Sequence, residues 1–128
     1  MATLSGLLKN ALSSSAGVTA IVGTRIYPLE LPQTPTYEAI TYQRVSNTAQ
    51  QGSTALRQSR YQINCWAAKY SEAQELAVAV KTALEEYTDT DQIPGIKMSQ
   101  VANEFDDYDI EATVYRTVID VILTTTGD

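Results

Sequence analysis

The sequence predicts an α+β domain: a mostly antiparallel four- to five-stranded sheet with two main helices packed on one face. Three observations predict it. Apolar residues recur at the helical period near the N-terminus and again over residues 71–87. Segments rich in Tyr, Ile, Thr and Val come in pairs joined by polar connections, as antiparallel hairpins do. The 128-residue length is that of one domain of roughly 100–200 residues, so residues 1–128 read as a single domain.

The elements follow in chain order. Leu4, Leu7, Leu8, Ala11 and Leu12 form one stripe of a helix. Thr3 is its expected N-cap, because a hydroxyl accepts from an orphan first-turn amide. Ser13-Ser14-Ser15 stops it. A second short helical turn is expected over Val18 to Val22, between Gly17 and Gly23, and a short strand over Arg25 to Pro28. Pro28, Pro32 and Pro35 make residues 28–36 an extended loop, since proline lacks the amide a regular element needs. A strand is expected from Tyr37 to Ser46. The polar, aperiodic residues 46–56 read as a long hairpin loop, and a strand follows from about Arg57 to Ala68. In it Tyr61, Ile63 and Cys65 face one way, and Gln62, Asn64 and Trp66 the other.

The clearest element is a helix from Ser71 to Tyr87. Ser71 and Gln74 have the spacing of a capping box. Ala73, Leu76, Ala77, Val80, Leu84 and Tyr87 form its buried stripe. Full burial of each large apolar member contributes about 1.5–3 kcal/mol. Pro94-Gly95 is a turn. Residues 96–105 and 111–125 read as a hairpin whose connection is Asp106-Asp107-Tyr108-Asp109. The last strand is apolar on both faces: Tyr115, Ile119, Val121 and Leu123 on one, Val114, Val118 and Ile122 on the other. Two helices cover only one face. Either the second face meets another layer or subunit, or the first helix and the loops wrap around it.

Composition removes much catalytic chemistry. There is no histidine, hence no imidazole base or ligand. The single cysteine, Cys65, excludes an intrachain disulfide and a cysteine zinc site. No phosphate-loop motif occurs. Cys65 has no basic neighbour in sequence to activate it and reads as a small core residue. Asp106, Asp107, Asp109 and Glu111 lack the glycine and closing glutamate of a calcium loop. No catalytic, cofactor-binding or metal-binding residue is assigned, and the chain is read as not an enzyme. No stretch reaches the roughly 18 apolar residues of a membrane helix, and no export signal is apparent, so synthesis and assembly are expected in a reducing cytoplasm.

Net charge is −6 and unevenly placed. Residues 1–84 carry seven Lys/Arg against four Asp/Glu, a net of +3, and residues 85–128 carry two against eleven, a net of −9. An acidic total argues against phosphate-backbone binding. The asymmetry reads either as a solvated acidic hairpin or as unlike faces by which copies of the chain meet. Arg44, Arg57 and Arg60 flank the long loop. With Gln50, Gln51 and Gly52 they are the expected partner interface, since a loop held by well-specified strands is where binding tends to reside.

Four runs then carry a family resemblance: Val18-Thr-Ala-Ile-Val-Gly-Thr-Arg-Ile-Tyr-Pro28, Pro35-Thr-Tyr-Glu-Ala-Ile-Thr-Tyr-Gln-Arg-Val-Ser46, Arg60-Tyr-Gln-Ile-Asn-Cys-Trp-Ala-Ala-Lys-Tyr-Ser-Glu-Ala73 and Val114-Tyr-Arg-Thr-Val-Ile-Asp-Val121. Their order and spacing resemble the small tail-completion, tail-to-head joining and tail-terminator proteins of long-tailed bacteriophages. The resemblance implies a structural virion protein that caps the head-proximal end of the tail tube as a hexameric ring. Its implied partners are its own copies, the major tail tube protein and the head connector or neck protein, with DNA passing through unbound and no membrane or cofactor involved. It carries over no catalytic residue. Asp106, Asp107, Asp109 and Glu111 would then line the lumen or an inter-subunit contact. The alternatives are a head-completion or connector adaptor and, in another class, a small ligand-binding regulatory module.

Overall fold

The computed structural model describes residues 3–49, 56–85, 87–90 and 95–126. Helix α1 spans Leu4–Ser13, α2 Ala16–Val22 and α3 Tyr70–Leu84; strand β1 spans Ile26–Pro28, β2 Ala39–Ala49, β3 Leu56–Ala67, β4 Gly95–Asp109 and β5 Val114–Thr126. The five strands form one sheet in the order β1-β2-β3-β5-β4. All pairings are antiparallel except β1 with β2, which run parallel at one edge. The expected α+β class holds, with a mixed sheet and a third, short helix.

The helix starts follow local chemistry. The Thr3 hydroxyl accepts from the Gly6 amide at 3.0 Å, as its position predicts. Of the three serines, Ser14 closes α1 and Ser15 opens α2, its hydroxyl accepting from the Val18 amide. Gly23 ends α2 at φ 59°, a left-handed conformation open to glycine without a Cβ penalty. The capping box expected at Ser71 does not form. Lys69 is the N-cap and gives no side-chain bond, while Gln74 donates instead to the Tyr70 hydroxyl at 2.7 Å. Helix α3 also stops at Leu84, and Tyr87 packs half-buried against the core beyond its end. Its stripe is otherwise as expected: Ala73, Leu76, Ala77, Val80 and Leu84 are buried.

Two connections differ from what the sequence implies, the first shorter and the second displaced along the chain. Strand β2 runs on to Ala49 and β3 begins at Leu56, so residues 46–49 and 56, expected in the loop, are paired. Asn47 explains how so polar a segment stays in register: its Oδ1 accepts from Arg57 Nε and from the Ser59 hydroxyl, both at 3.1 Å. Gln50, Gln51 and Gly52 lie outside the described residues, as does Pro94 of the expected turn. In the second hairpin, Asp106, Asp107, Tyr108 and Asp109 are not the connection. They are the last residues of β4, and the turn is 110–113. Cross-strand partners hold these carboxylates in the strand, as described below.

All three helices lie on one face of the sheet. Their Leu4, Leu8, Leu12, Val18, Val22, Leu76 and Val80 share a core with Ile40, Tyr61, Ile63, Cys65, Ile119, Val121 and Leu123. The Ser5 and Tyr61 hydroxyls are hydrogen-bonded at 2.8 Å, fixing α1 to β3. So the first helix does not wrap onto the second face. Val114 and Val118 are nonetheless buried there. Strand register breaks occur between Arg44 and Ser46 in β2, and at Ile96/Met98 and Val101/Asn103 in β4.

Candidate functional site

The register puts the two hairpin ends at opposite ends of the sheet. Leu56 pairs with Thr126, whereas Ala67 pairs with Tyr115 next to the β4–β5 turn. The charge asymmetry read along the chain does not become a clean separation in space: Asp89 bridges Ile96 at the Arg57 end, while Lys81 and Arg116 pair with Glu104 and Asp107 of the acidic hairpin. The three arginines do not converge either. Arg44 lies 5.8 Å from the Tyr61 ring centre, on the helix side, and its Nε donates to the Tyr61 hydroxyl at 3.3 Å. Arg57 is held by Asn47, through Oδ1 and the main-chain carbonyl. Arg60 points to the opposite face and meets Asp120 at 3.6 Å, as the alternation of a strand requires.

The acidic group is also divided between faces. Asp106, on the helix side, accepts from the Thr117 hydroxyl at 2.8 Å and from the Tyr70 hydroxyl at 2.7 Å. Rings of Tyr70 and Tyr108 flank Tyr115, with centroids 5.8 and 4.7 Å away. Lys81 of α3 meets Glu104 at 2.8 Å. Asp107 faces the other way and is paired with Arg116, whose hydrogen bond holds its carboxyl below the usual range. Arg116 in turn lies 5.3 Å from the centre of the Trp66 ring. Trp66 Nε1 and Asn64 Nδ2 both donate to the Thr41 hydroxyl, at 3.0 and 3.1 Å. The face without helices thus carries a lateral chain of partners from β4 to β2: Asp107, Arg116, Trp66, Thr41, Asn64. At the very tip remain Asp109, which accepts from the Ala112 amide at 3.1 Å, and exposed Glu111.

Several surface residues were not singled out by sequence reasoning. Ile110 is 79 % exposed and Leu29 is 70 % exposed, with Phe105 and Tyr108 also exposed on β4. Leu29 has φ 67°, which costs an L-residue about 1–2 kcal/mol. The available signal was an apolar residue inside a proline loop, Pro28-Leu29-Glu30-Leu31-Pro32. Leu29 borders a groove of about 460 Å³. A second groove, of about 420 Å³, runs along β4 past Met98 and Gln100.

Burial raises the Cys65 thiol pKa far above neutral, so it stays protonated and inert. Among the described residues no three Cys, Asp or Glu side chains gather as a metal site, and no helix is long and apolar enough to cross a membrane. What the arrangement offers is surface: a charged, aromatic-lined hairpin at one end and an apolar groove at the far edge.

Comparison with known proteins gives the setting. The pattern of the family described as "Tail completion protein gp17" matches residues 7–126. Among solved structures, a chain of "Virion of native gene transfer agent (GTA) particle" superposes with TM-score 0.76 at 16% identity, covering 94% of this chain and 92% of that one. At that identity the likeness shows the fold. No curated protein matches the chain.

Proposed function

The chain belongs to the tail completion protein gp17 family, and on that premise we propose that it closes the head-proximal end of a phage tail tube as a ring of its own copies and joins tail to head. Membership makes it a structural protein of the tail and hence of the virion. The finer reading is that the ring, a hexamer, rests on the tail tube protein below and receives the head connector above. It is assembled in the bacterial cytoplasm, and DNA runs through its lumen. The family match over nearly the whole chain carries this reading.

The physical chemistry supports it. A ring arises when one patch of each copy meets a different patch of the next, and this fold keeps its acidic hairpin and its apolar groove far apart. A net charge of −6 repels phosphates, which suits a passage that must not bind DNA. The chain works by contact, and no step of bond making is assigned to it.

Electron microscopy of lysates from a phage lacking this chain tests the reading. Filled heads and uncapped tubes are expected to accumulate apart, and added purified protein is expected to bind one end of each tube and restore joining. Joining without the protein overturns the proposal. Protein found on tail-less heads but never on free tubes overturns it in favour of a connector adaptor.

A further inference from the structure

Two surface features differ in charge and lie at opposite edges of the sheet, too far apart to meet within one chain. The first is the tip of the β4–β5 hairpin. Every residue from Ala102 to Thr113 is exposed, and the tip presents an isoleucine, Ile110, between Asp109 and Glu111. The most exposed large apolar side chain of the described residues is therefore framed by two carboxylates.

The second is the groove where β1 ends and β2 continues. Strand β1 pairs only with Ile40, Thr41 and Tyr42, and past that point the groove opens, lined by Ser5, Pro28, Leu29, Tyr42, Gln43 and Arg44. Its volume of about 460 Å³ is ample for a branched aliphatic side chain. Arg44 is exposed and is the one charged residue of the lining. Leu29 gives the second, independent sign. Its left-handed backbone is strained, and glycine or asparagine would hold it more easily. Yet the leucine is left 70 % exposed and gains little burial within the chain in return. Strained residues cluster at ligand clamps and contact sites, and Leu29 borders the groove.

Groove and tip lie at opposite edges of a five-stranded sheet. Four inter-strand steps of about 4.8 Å put roughly 19 Å between the edges. We propose that Ile110 of one copy seats in the Leu29–Tyr42 groove of the next copy, with Arg44 facing the Asp109 and Glu111 carboxylates. The contact is heterologous, so repetition generates a ring when the rotation closes. It rests on the ring reading above and names the surfaces that build the ring.

The test uses the full chain, alone and on purified tail tubes. A variant with both Leu29→Cys and Ile110→Cys is oxidised with diamide and run on a non-reducing gel; buried Cys65 stays out of the reaction. A ladder of covalent multimers is expected from the double variant and monomer from each single variant. In sedimentation, Arg44→Glu and Asp109→Arg are each expected to weaken self-association about tenfold or more, and their combination to restore it. Ile110→Asp, in an exposed turn, is expected to abolish association with an unchanged melting curve. Assembled wild type with no ladder overturns the contact and leaves the ring. A covalent dimer from Ile110→Cys alone marks a tip-to-tip contact and overturns the proposal. Wild type that stays monomeric both alone and on tubes overturns the ring and the contact together.

Discussion

Glu38 stands where the loop enters β2. Its main-chain carbonyl accepts from Arg25 Nε at 2.7 Å. Its carboxyl titrates above the ordinary glutamate value of 4.5, first through partial burial and then through repulsion from Glu72 and Glu75 of α3, with Arg25 opposing. The folded state thus holds the proton more tightly than the unfolded chain. The associated stability is fully present below the unfolded value and is lost as pH rises through the folded one. At neutral pH ionised Glu38 is a liability. Glu38→Gln is expected to raise unfolding free energy at pH 7 by less than about 1 kcal/mol, because a carboxylate still partly hydrated is screened. The gain is expected to vanish near pH 4. Urea unfolding at the two pH values measures it, and an equal gain at both would contradict the assignment. None of this was legible in the sequence, where Glu38 and Glu72 are separated by two strands.

Elements differed in how well they could be read, and the difference is physical. Helices α1 and α3 showed in their stripes because burial on a helix repeats locally, and Thr3 showed because a cap acts across one turn. Ser71 had the right spacing for a box but lies inside α3, where Tyr70 and Gln74 bond each other instead. Strand ends were least legible. Asn47 and Asp106 look like loop residues until Arg57, Ser59, Thr117 and Tyr70 supply partners from distant sequence. The β4–β5 turn carries a residue ill suited to its backbone. Thr113 has φ 54°, a left-handed conformation in which a β-branched side chain is an outlier. Thr113→Gly is expected to stabilise the hairpin by about 1 kcal/mol, since the relief exceeds the added chain entropy of glycine. For a chain of this size that is a rise in Tm of roughly 3–6 °C. Thermal melting followed by circular dichroism checks it; an unchanged or lowered Tm would remove strain from the account of this turn.

On the scale of the whole molecule, order should fall away from the centre of the sheet. Strands β3 and β5 are paired on both sides, and with the helices they enclose Tyr61, Ile63, Cys65, Ile119 and Val121, all fully buried. Opening there requires global unfolding, whereas exposed ends open locally. Amide hydrogen exchange is expected to be slowest at Tyr61–Cys65 and Thr117–Val121 and faster by orders of magnitude across 102–113. Uniform protection along β4 would contradict this. The candidate surfaces were legible only in part. Net charges of +3 and −9 suggested two unlike regions, but pairing brings Asp89 to the Arg57 end and Lys81 to Glu104; which side of the sheet each carboxylate takes depends on register, and the left-handed backbone at Leu29 leaves no trace in composition.

Strand β4 is an outermost strand, yet Lys97 and Ala102 stand as extra residues at its two register breaks. Each break throws the free amide and carbonyl groups out of step, and Lys97 adds a charge. A foreign segment sliding alongside would find mismatched partners. Such an edge is a poor template for backbone pairing with a further strand, and any contact made along it falls to side chains.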